Sequence, residues 1–311
     1  MKYLIIGEPC LDVIHKHNGE TARSYGGVLY SIIAMSVFCR SEDVIIPVMN
    51  IGEDESSNIK ILLNQYKNID TSGINTVDFP TRRVNLDYSI YGSNDERFET
   101  STQPTHPIDY QLIEKFLPEA DAILINMISG TDITLDTMKK IRHNFKGYIH
   151  IDIHNLVMKT ADDGMRSYTN PVSWLEWCTN ADIVQMNEKE ISHLSNETKN
   201  EYKIAEKILT EEGKNVKGVL LTRGVSGVSG YTQKMKSYGD EKFLNIDKKD
   251  LSAIENPDFV DSTGCGDVFA SAFVHEFSRD ENFDKALHFG NRMASYKTSL
   301  EGIDQLYKLV N

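Results

Sequence analysis

Cysteine is scarce: Cys10, Cys39, Cys178 and Cys265 are the four in 311 residues, and no two form a CxxC pair. That excludes a disulfide framework or a cysteine zinc site and suits reduced thiols. Positive charge is also in deficit, with 33 Lys and Arg against 46 Asp and Glu, a net charge of −13. Nucleic-acid backbones are bound by clustered Lys and Arg, and no lysine-rich run occurs, so no nucleic-acid partner is expected. Long apolar runs are missing too. Stretches such as Tyr3 to Ile6 and Val219 to Leu221 are strand-sized, far short of a bilayer span, and no membrane partner is expected. The first residues enter a strand at once, without a basic region ahead of an apolar segment, so the expected location is cytoplasmic. No internal repeat or low-complexity tract is visible.

What is present describes an ordinary globular protein: 40% apolar and 25% charged residues, with 20 Gly and 8 Pro. The length suits one large core with a small addition. Short apolar runs at 3–6, 44–48, 122–125, 148–153, 182–184 and 219–222 read as strands buried on both faces. Between them lie helical patterns at Val28–Phe38, Asn58–Tyr66, Tyr110–Phe116, Leu135–Phe145, Ile204–Glu212 and Val268–Phe277. This alternation predicts an α/β fold with a doubly wound, mostly parallel sheet flanked by helices. Two segments break the rhythm. Residues 83–90 alternate polar and apolar, 91–95 read as a turn and 96–99 as a returning strand; Cys10–His15 also alternates and is followed by the turn signal Asn18-Gly19. They predict a small β-lid, about 9–25 and 82–100, inserted into a single domain spanning 1–311.

The most informative stretch is Asp261-Ser262-Thr263-Gly264-Cys265-Gly266-Asp267-Val268-Phe269, a glycine-flanked polar loop entering a helix. Backbone N–H groups at a helix start converge on anions, aided by the helix dipole. Asp267 would repel a simple phosphate, yet it is well placed to take a proton from a hydroxyl attacking one. A capped helix behind a glycine turn is the plain alternative.

The nine-residue run resembles the C-terminal signature of the ribokinase/PfkB family of sugar and nucleoside kinases, D-T-x-G-A-G-D-x-F, with Ser262 and Cys265 as small departures. Other positions agree in order: Gly7 then Asp12, the pair Gly26-Gly27, Ile51-Gly52-Glu53-Asp54, Asn187-Glu188-Lys189-Glu190, and Thr222-Arg223-Gly224-Val225-Ser226-Gly227. The resemblance implies ATP-dependent phosphorylation of a hydroxyl on a sugar or sugar-like molecule. It implies Asp267 as base, with the backbone N–H groups of Gly264, Cys265 and Gly266 holding the transferring phosphoryl group. It implies substrate binding by Asp12, Gly26, Gly27, Ser31 and Asp152, and ATP binding around Asn187, Thr222, Gly224 and Gly227. Glu190 and Asn187 would hold Mg2+ through water, Asp261 matches a monovalent-cation position that the loop near Gly302 would complete with K+, and the lid offers a route to a homodimer. The family usually carries Asn where this chain has Ser31, and Asp-Pro-Asn where it has Asp152-Ile153-His154.

Several residues keep two readings. Asn187 and Glu190 also fit an N-capped helix with an exposed Glu. His150, Asp152 and His154 would share one strand face, spread too far for one ion but suited to line a pocket. Cys265 sits where helix dipoles would lower a thiol pKa, against a small inert side chain. A nucleoside kinase, with Tyr30 stacking on the base beside Ser31, and a catalytically silent ligand sensor are the rival functions. Gly7-Glu8-Pro9 offers no GxGxxG, which argues against a dinucleotide dehydrogenase.

Overall fold

On the first strand, β1 (Lys2–Ile6), Tyr3 and Ile5 enter one buried apolar layer and Leu4 and Ile6 the other. Side chains alternate along a strand, so a run apolar at every position needs cover on both faces. The computed structural model, which describes all residues except 16, 17, 88–97, 105, 215, 239, 240 and 311, supplies that cover with helices.

The strands continue with β2 (Pro9–His15), β3 (Thr21–Gly27), β4 (Val44–Gly52), β5 (Ile74–Val77), β6 (Arg82–Asp87), β7 (Phe98–Ser101) and β8 (Ala122–Asn126). Then follow β9 (Tyr148–Asp152), β10 (Met158–Thr160), β11 (Arg166–Tyr168), β12 (Ile183–Asn187), β13 (Gly218–Thr222), β14 (Val228–Tyr238) and β15 (Glu241–Leu251). The helices are α1 (Val28–Phe38), α2 (Glu53–Leu63), α3 (Tyr110–Glu114), α4 (Leu135–Asn144), α5 (Trp174–Thr179), α6 (Glu188–Leu194), α7 (Glu201–Leu209), α8 (Cys265–Asp280) and α9 (Phe283–Lys297).

A 9-stranded sheet has the order β15-β14-β13-β12-β9-β8-β1-β4-β5. Neighbours from β13 to β5 pair parallel, and β14 and β15 close the edge as an antiparallel hairpin. Helices α1, α2, α8 and α9 contribute to one apolar layer, α3 to α7 to the other. The α8 layer is set by Phe269, Phe273 and Phe277, stacked at 6.2 and 5.4 Å between ring centroids. Each buried ring contributes about 1.5–3 kcal/mol, enough to hold the start of α8 in one place over the sheet.

Four further strands form a second sheet in the order β3-β2-β6-β7, with Cys10, Val84 and Leu86 as its small core. The β10–β11 hairpin, absent from the expected lid, joins its edge. Ser101 N–H donates to Gly164 O at 3.0 Å and Arg166 pairs with Glu99 at 2.7 Å. The expected turn at 91–95, together with 88–90 and 96–97 of its flanking strands, lies outside the described residues.

One placement needs correction. Strand β9 ends at Asp152, and His154 opens a short 3-10 turn with a left-handed φ of 40°. It therefore leaves the face shared by His150 and Asp152. Burial pushes the His154 pKa down to about 4 and that of His150 to about 3, so both rings are neutral.

Candidate active site

Parallel pairing gathers the carboxyl ends of the strands at one edge of the sheet. The order reverses at β1, whose next strand β4 lies on one side while β8, β9 and β12 lie on the other. Open α/β sheets bind ligands in the crevice at such a switch point. Gly7, just beyond β1, allows the strand ends to close up, because a Cβ there would stand 2.6 Å from the Asn126 carbonyl oxygen. Register then aligns polar strand ends: Asn126 pairs with Asp152, Asp152 with Gln185, and Asn187 with Thr222.

Helix α8 begins over these ends. Its N-cap, Gly264, has a left-handed φ of 79° and no side-chain cap, and a Cβ there would collide with the Tyr30 ring, so glycine is required. At Gly266 a Cβ would meet nothing within 4 Å, leaving open space at the first helical turn. Cys265 departs from expectation in its backbone, while its side chain fits the inert one of its two readings. Its N–H donates to Ser262 O at 3.2 Å, so the donors left for an anion are those of Gly264 and Gly266. Its thiol is pushed up to about 12 by burial, so it is not an activated thiolate.

Asp267 is buried in the first turn of α8. Asn126 Nδ2 donates to its Oδ1 at 2.5 Å and to Ser31 Oγ at 3.1 Å, and Ser271 Oγ donates to Ser31 O at 2.9 Å. Burial pushes the Asp267 carboxyl up to about 7; the Asn126 bond opposes this and the charge of Asp12 adds to it. A carboxyl poised near neutrality is what a general base needs. Asn126 and Gln185 escaped the sequence reading. Gln185 Nε2 bridges Asp152 Oδ2 and Gly266 O, both at 3.1 Å, and ties the helix start to β12. The available signal was position: a lone amide side chain at or near the carboxyl end of an apolar strand.

Of the other expected residues, Asp12, Asp152 and Glu190 lie near enough to Asp267 for their charges to be felt. Asp12, buried on β2, packs against Gly26, where a Cβ would collide with its carboxylate, and accepts from Cys10 Sγ at 3.3 Å. Gly27 caps α1. Ser31 is fully buried behind the base. Asn187 and Glu190 form a capping box: Asn187 Oδ1 accepts from Glu190 N at 2.9 Å, and Glu190 accepts from Asn187 N at 2.7 Å and Nδ2 at 2.6 Å. The cap is real, but Glu190 is buried rather than exposed. Burial pushes Glu190 up to about 8, with the charge of Asp267 adding, and burial with the charges of Glu190 and Asp267 pushes Asp152 up as well. Thr222, Gly224 and Gly227 lie at the β13–β14 turn beyond Asn187.

Two expectations meet obstacles. Tyr30 is buried beneath Gly264 and faces Lys297, whose ammonium is 5.7 Å from its ring centroid; it presents no face for a base to stack on. At Asp261 the oxygens expected to hold K+ are engaged. Lys297 Nζ donates to Asp261 Oδ2 and O, both at 3.3 Å, and to Leu300 O at 2.8 Å.

A doubly wound sheet with a second small sheet, a bare helix start and a buried carboxylate at its switch point defines a ribokinase-like fold. The chain belongs to the pfkB family of carbohydrate kinases, whose description matches residues 128–305. Solved structures agree on the fold along the whole length. A pyrophosphate-dependent kinase of the ribokinase family, seen with sulfate, matches with TM-score 0.73 and 18% identity, covering 97% of this chain and 96% of its own. Ribokinase from Thermotoga maritima matches with TM-score 0.70 and 21% identity over 98% and 95%. A nucleoside kinase from Methanocaldococcus jannaschii matches with TM-score 0.69 and 15% identity over 100% and 97%. No curated protein matches the chain. Among the described residues, no helix is long and apolar enough to cross a membrane.

Proposed function

We propose that this kinase transfers the terminal phosphoryl group of ATP to a hydroxyl of a sugar or sugar-like small molecule, with Asp267 as the base. The observation that carries this is the Asp267 carboxyl: buried beside the bare start of α8, oriented by Asn126, and held near neutral pKa. The acceptor hydroxyl lies between Asp12, Gly27 and Asp267. Its proton passes to Asp267 as the oxygen attacks the phosphorus in line and the bond to the leaving diphosphate breaks. The N–H groups of Gly264 and Gly266 face the charge that grows on the transferring group, in the open space that Gly266 leaves. The sheet of β2, β3, β6 and β7 covers the acceptor and limits loss of the phosphoryl group to water.

The residues present fit Mg2+ held through its own waters, which it gives up reluctantly. Glu190 and Asp152 are carboxyls pushed up chiefly by burial, with neighbouring negative charge adding, and a cation facing them would favour their ionised forms. Glu190, Asp152 and Asn187 would hold the ion. When bound it neutralises phosphate oxygens.

The test is a consumption screen with ATP across sugars, polyols and nucleosides, with pyrophosphate as a second donor. Turnover with a sugar or polyol that Asp267→Asn abolishes supports the assignment. Turnover only with nucleosides moves it to the rival acceptor, and binding without turnover to a sensor. Preference for pyrophosphate replaces ATP as donor and leaves the base in place.

A further inference from the structure

We propose that Lys297 is a built-in cation: its ammonium takes the place of a monovalent metal ion beneath the anion-binding loop, and the protein therefore works without K+. Lys297 is the last residue of α9 and is 0% exposed. A buried lysine is rare unless paired, and this one is paired on every donor. An ammonium has three N–H groups, and three oxygens receive them: Asp261 Oδ2 and O at 3.3 Å and Leu300 O at 2.8 Å. One carboxylate oxygen and two backbone carbonyls from separate loops, converging on one point, make the kind of oxygen cage that takes a bare monovalent cation. Ammonium and potassium ions are close in size and charge, and the side chain delivers the first to that point covalently.

The place matters to the chemistry. Asp261 opens the loop that ends at Gly264. Its other carboxylate oxygen, Oδ1, accepts from Thr263 N at 2.9 Å, and its own N–H donates to Thr298 O at 3.0 Å. Lys297 thus fastens both the loop before α8 and the C-terminal segment at Leu300 with one charge. That charge is felt at the helix start, where it favours the Cys265 thiolate against the effect of burial. A tethered cation costs no binding entropy and cannot be lost at low salt. Lys297 touches neither donor nor acceptor, so it is a positioning residue.

The inference rests on the phosphotransferase assignment for its activity arm only; its stability arm stands apart. Tm is measured for the wild type and for Lys297→Met in KCl, NH4Cl and choline chloride at equal ionic strength. Methionine retains the stem and ends one atom short, leaving the Nζ position vacant. The wild type is expected to show the same Tm in all three salts, and the same turnover once an acceptor is known. The variant is expected to melt several degrees lower in choline, because a part-buried ion pair has lost its fully buried partner, and to recover in K+ or NH4+ but not in choline. Turnover should follow, falling roughly tenfold or more in choline and recovering with the small cations. A wild type that needs K+ for Tm or turnover overturns the proposal. So does a variant that K+ and NH4+ fail to rescue. If Lys297→Met does not accumulate, refolding yield in KCl against choline reads the same property, and equal yields overturn it. A wild type that turns over no acceptor, with the Tm pattern intact, would count against the phosphotransferase assignment and not against the built-in cation.

Discussion

Asp267→Asn separates catalysis from stability, and the two effects have opposite signs. The wild-type carboxyl is pushed from an ordinary 3.8 up to about 7, chiefly by burial. A tenfold change in an acid constant corresponds to about 1.4 kcal/mol, so holding this group charged costs the folded state about 4 kcal/mol. Because the folded pKa is raised, the penalty is absent below about pH 4, where the carboxyl is neutral in both states. It then grows as pH rises to about 7 and levels off above that. Asparagine has nearly the same shape and keeps an oxygen for the Asn126 amide, but it never ionises. The variant should therefore gain about 1–2 kcal/mol over the wild type at pH 5 and about 4 kcal/mol at pH 8. Turnover should meanwhile fall by about 10²- to 10⁴-fold, with binding of the phosphoryl donor nearly unchanged. Denaturant or thermal melts at the two pH values, beside an ADP-release assay, measure both effects. A stability difference that does not grow between pH 5 and 8 would refute the buried, neutral-poised carboxyl. Retained turnover would refute its role as base.

Asn126→Leu removes the amide that favours the ionised form of Asp267; a hydrogen bond to a charged group is worth about 1.5–3 kcal/mol. Turnover should fall about 10- to 100-fold at neutral pH, with acceptor KM steady and the inflection of the pH–rate profile moved above 7. Gly266→Ala puts a methyl group into the open space at the start of α8, so Tm should hold while donor KM rises roughly tenfold. Gly264→Ala should instead lose about 1–3 kcal/mol of stability, read as a lower Tm, because the backbone is left-handed and Tyr30 fills the space. Cys265, with its thiol pushed up to about 12, should be alkylated far more slowly at pH 7 than a free cysteine; complete labelling within minutes, read by mass spectrometry, would contradict that raised pKa.

The parallel core was legible because strands buried on both faces must be apolar at every position: β1, β4, β8, β9, β12 and β13 each begin within a residue or so of an apolar run. The edge hairpin of β14 and β15 was not, since stretches such as Asp247 to Asp250 carry charge on solvated positions and lack a core signature. Helix α2 starts at Glu53, five residues before the apolar periodicity suggests. Glu53, Asp54 and Glu55 occupy its first turn, where negative charge meets the helix dipole. Of the site, the local motif around Asp267 was legible from its glycine spacing together with its resemblance to the family signature. Asn126, Gln185 and Lys297 were not, because each acts through a partner 36 to 141 positions away, and only the register of the sheet and the packing of α9 bring them together.

Those three residues also explain how so acidic a chain can handle a phosphate. Asp267 lies in the first turn of α8, Asp152 is linked to that turn through Gln185, the charges of Asp12 and Glu190 reach Asp267 or feel it, and Asp261 lies just before the helix. Ionised together, they would repel the anion that the helix start attracts. Burial alters that count, because Asp267 is pushed up to about 7, Glu190 to about 8, and Asp152 in the same direction. Near neutral pH the site is therefore less negative than its composition. Asp261, the most exposed member of this set, is faced by the ammonium of Lys297. Asn126 and Gln185 donate to the carboxylates without adding charge. One fixed cation, two amides and the backbone N–H groups at the start of α8 thus oppose five acidic side chains, and none of them requires the surface clusters of Lys and Arg that this sequence lacks.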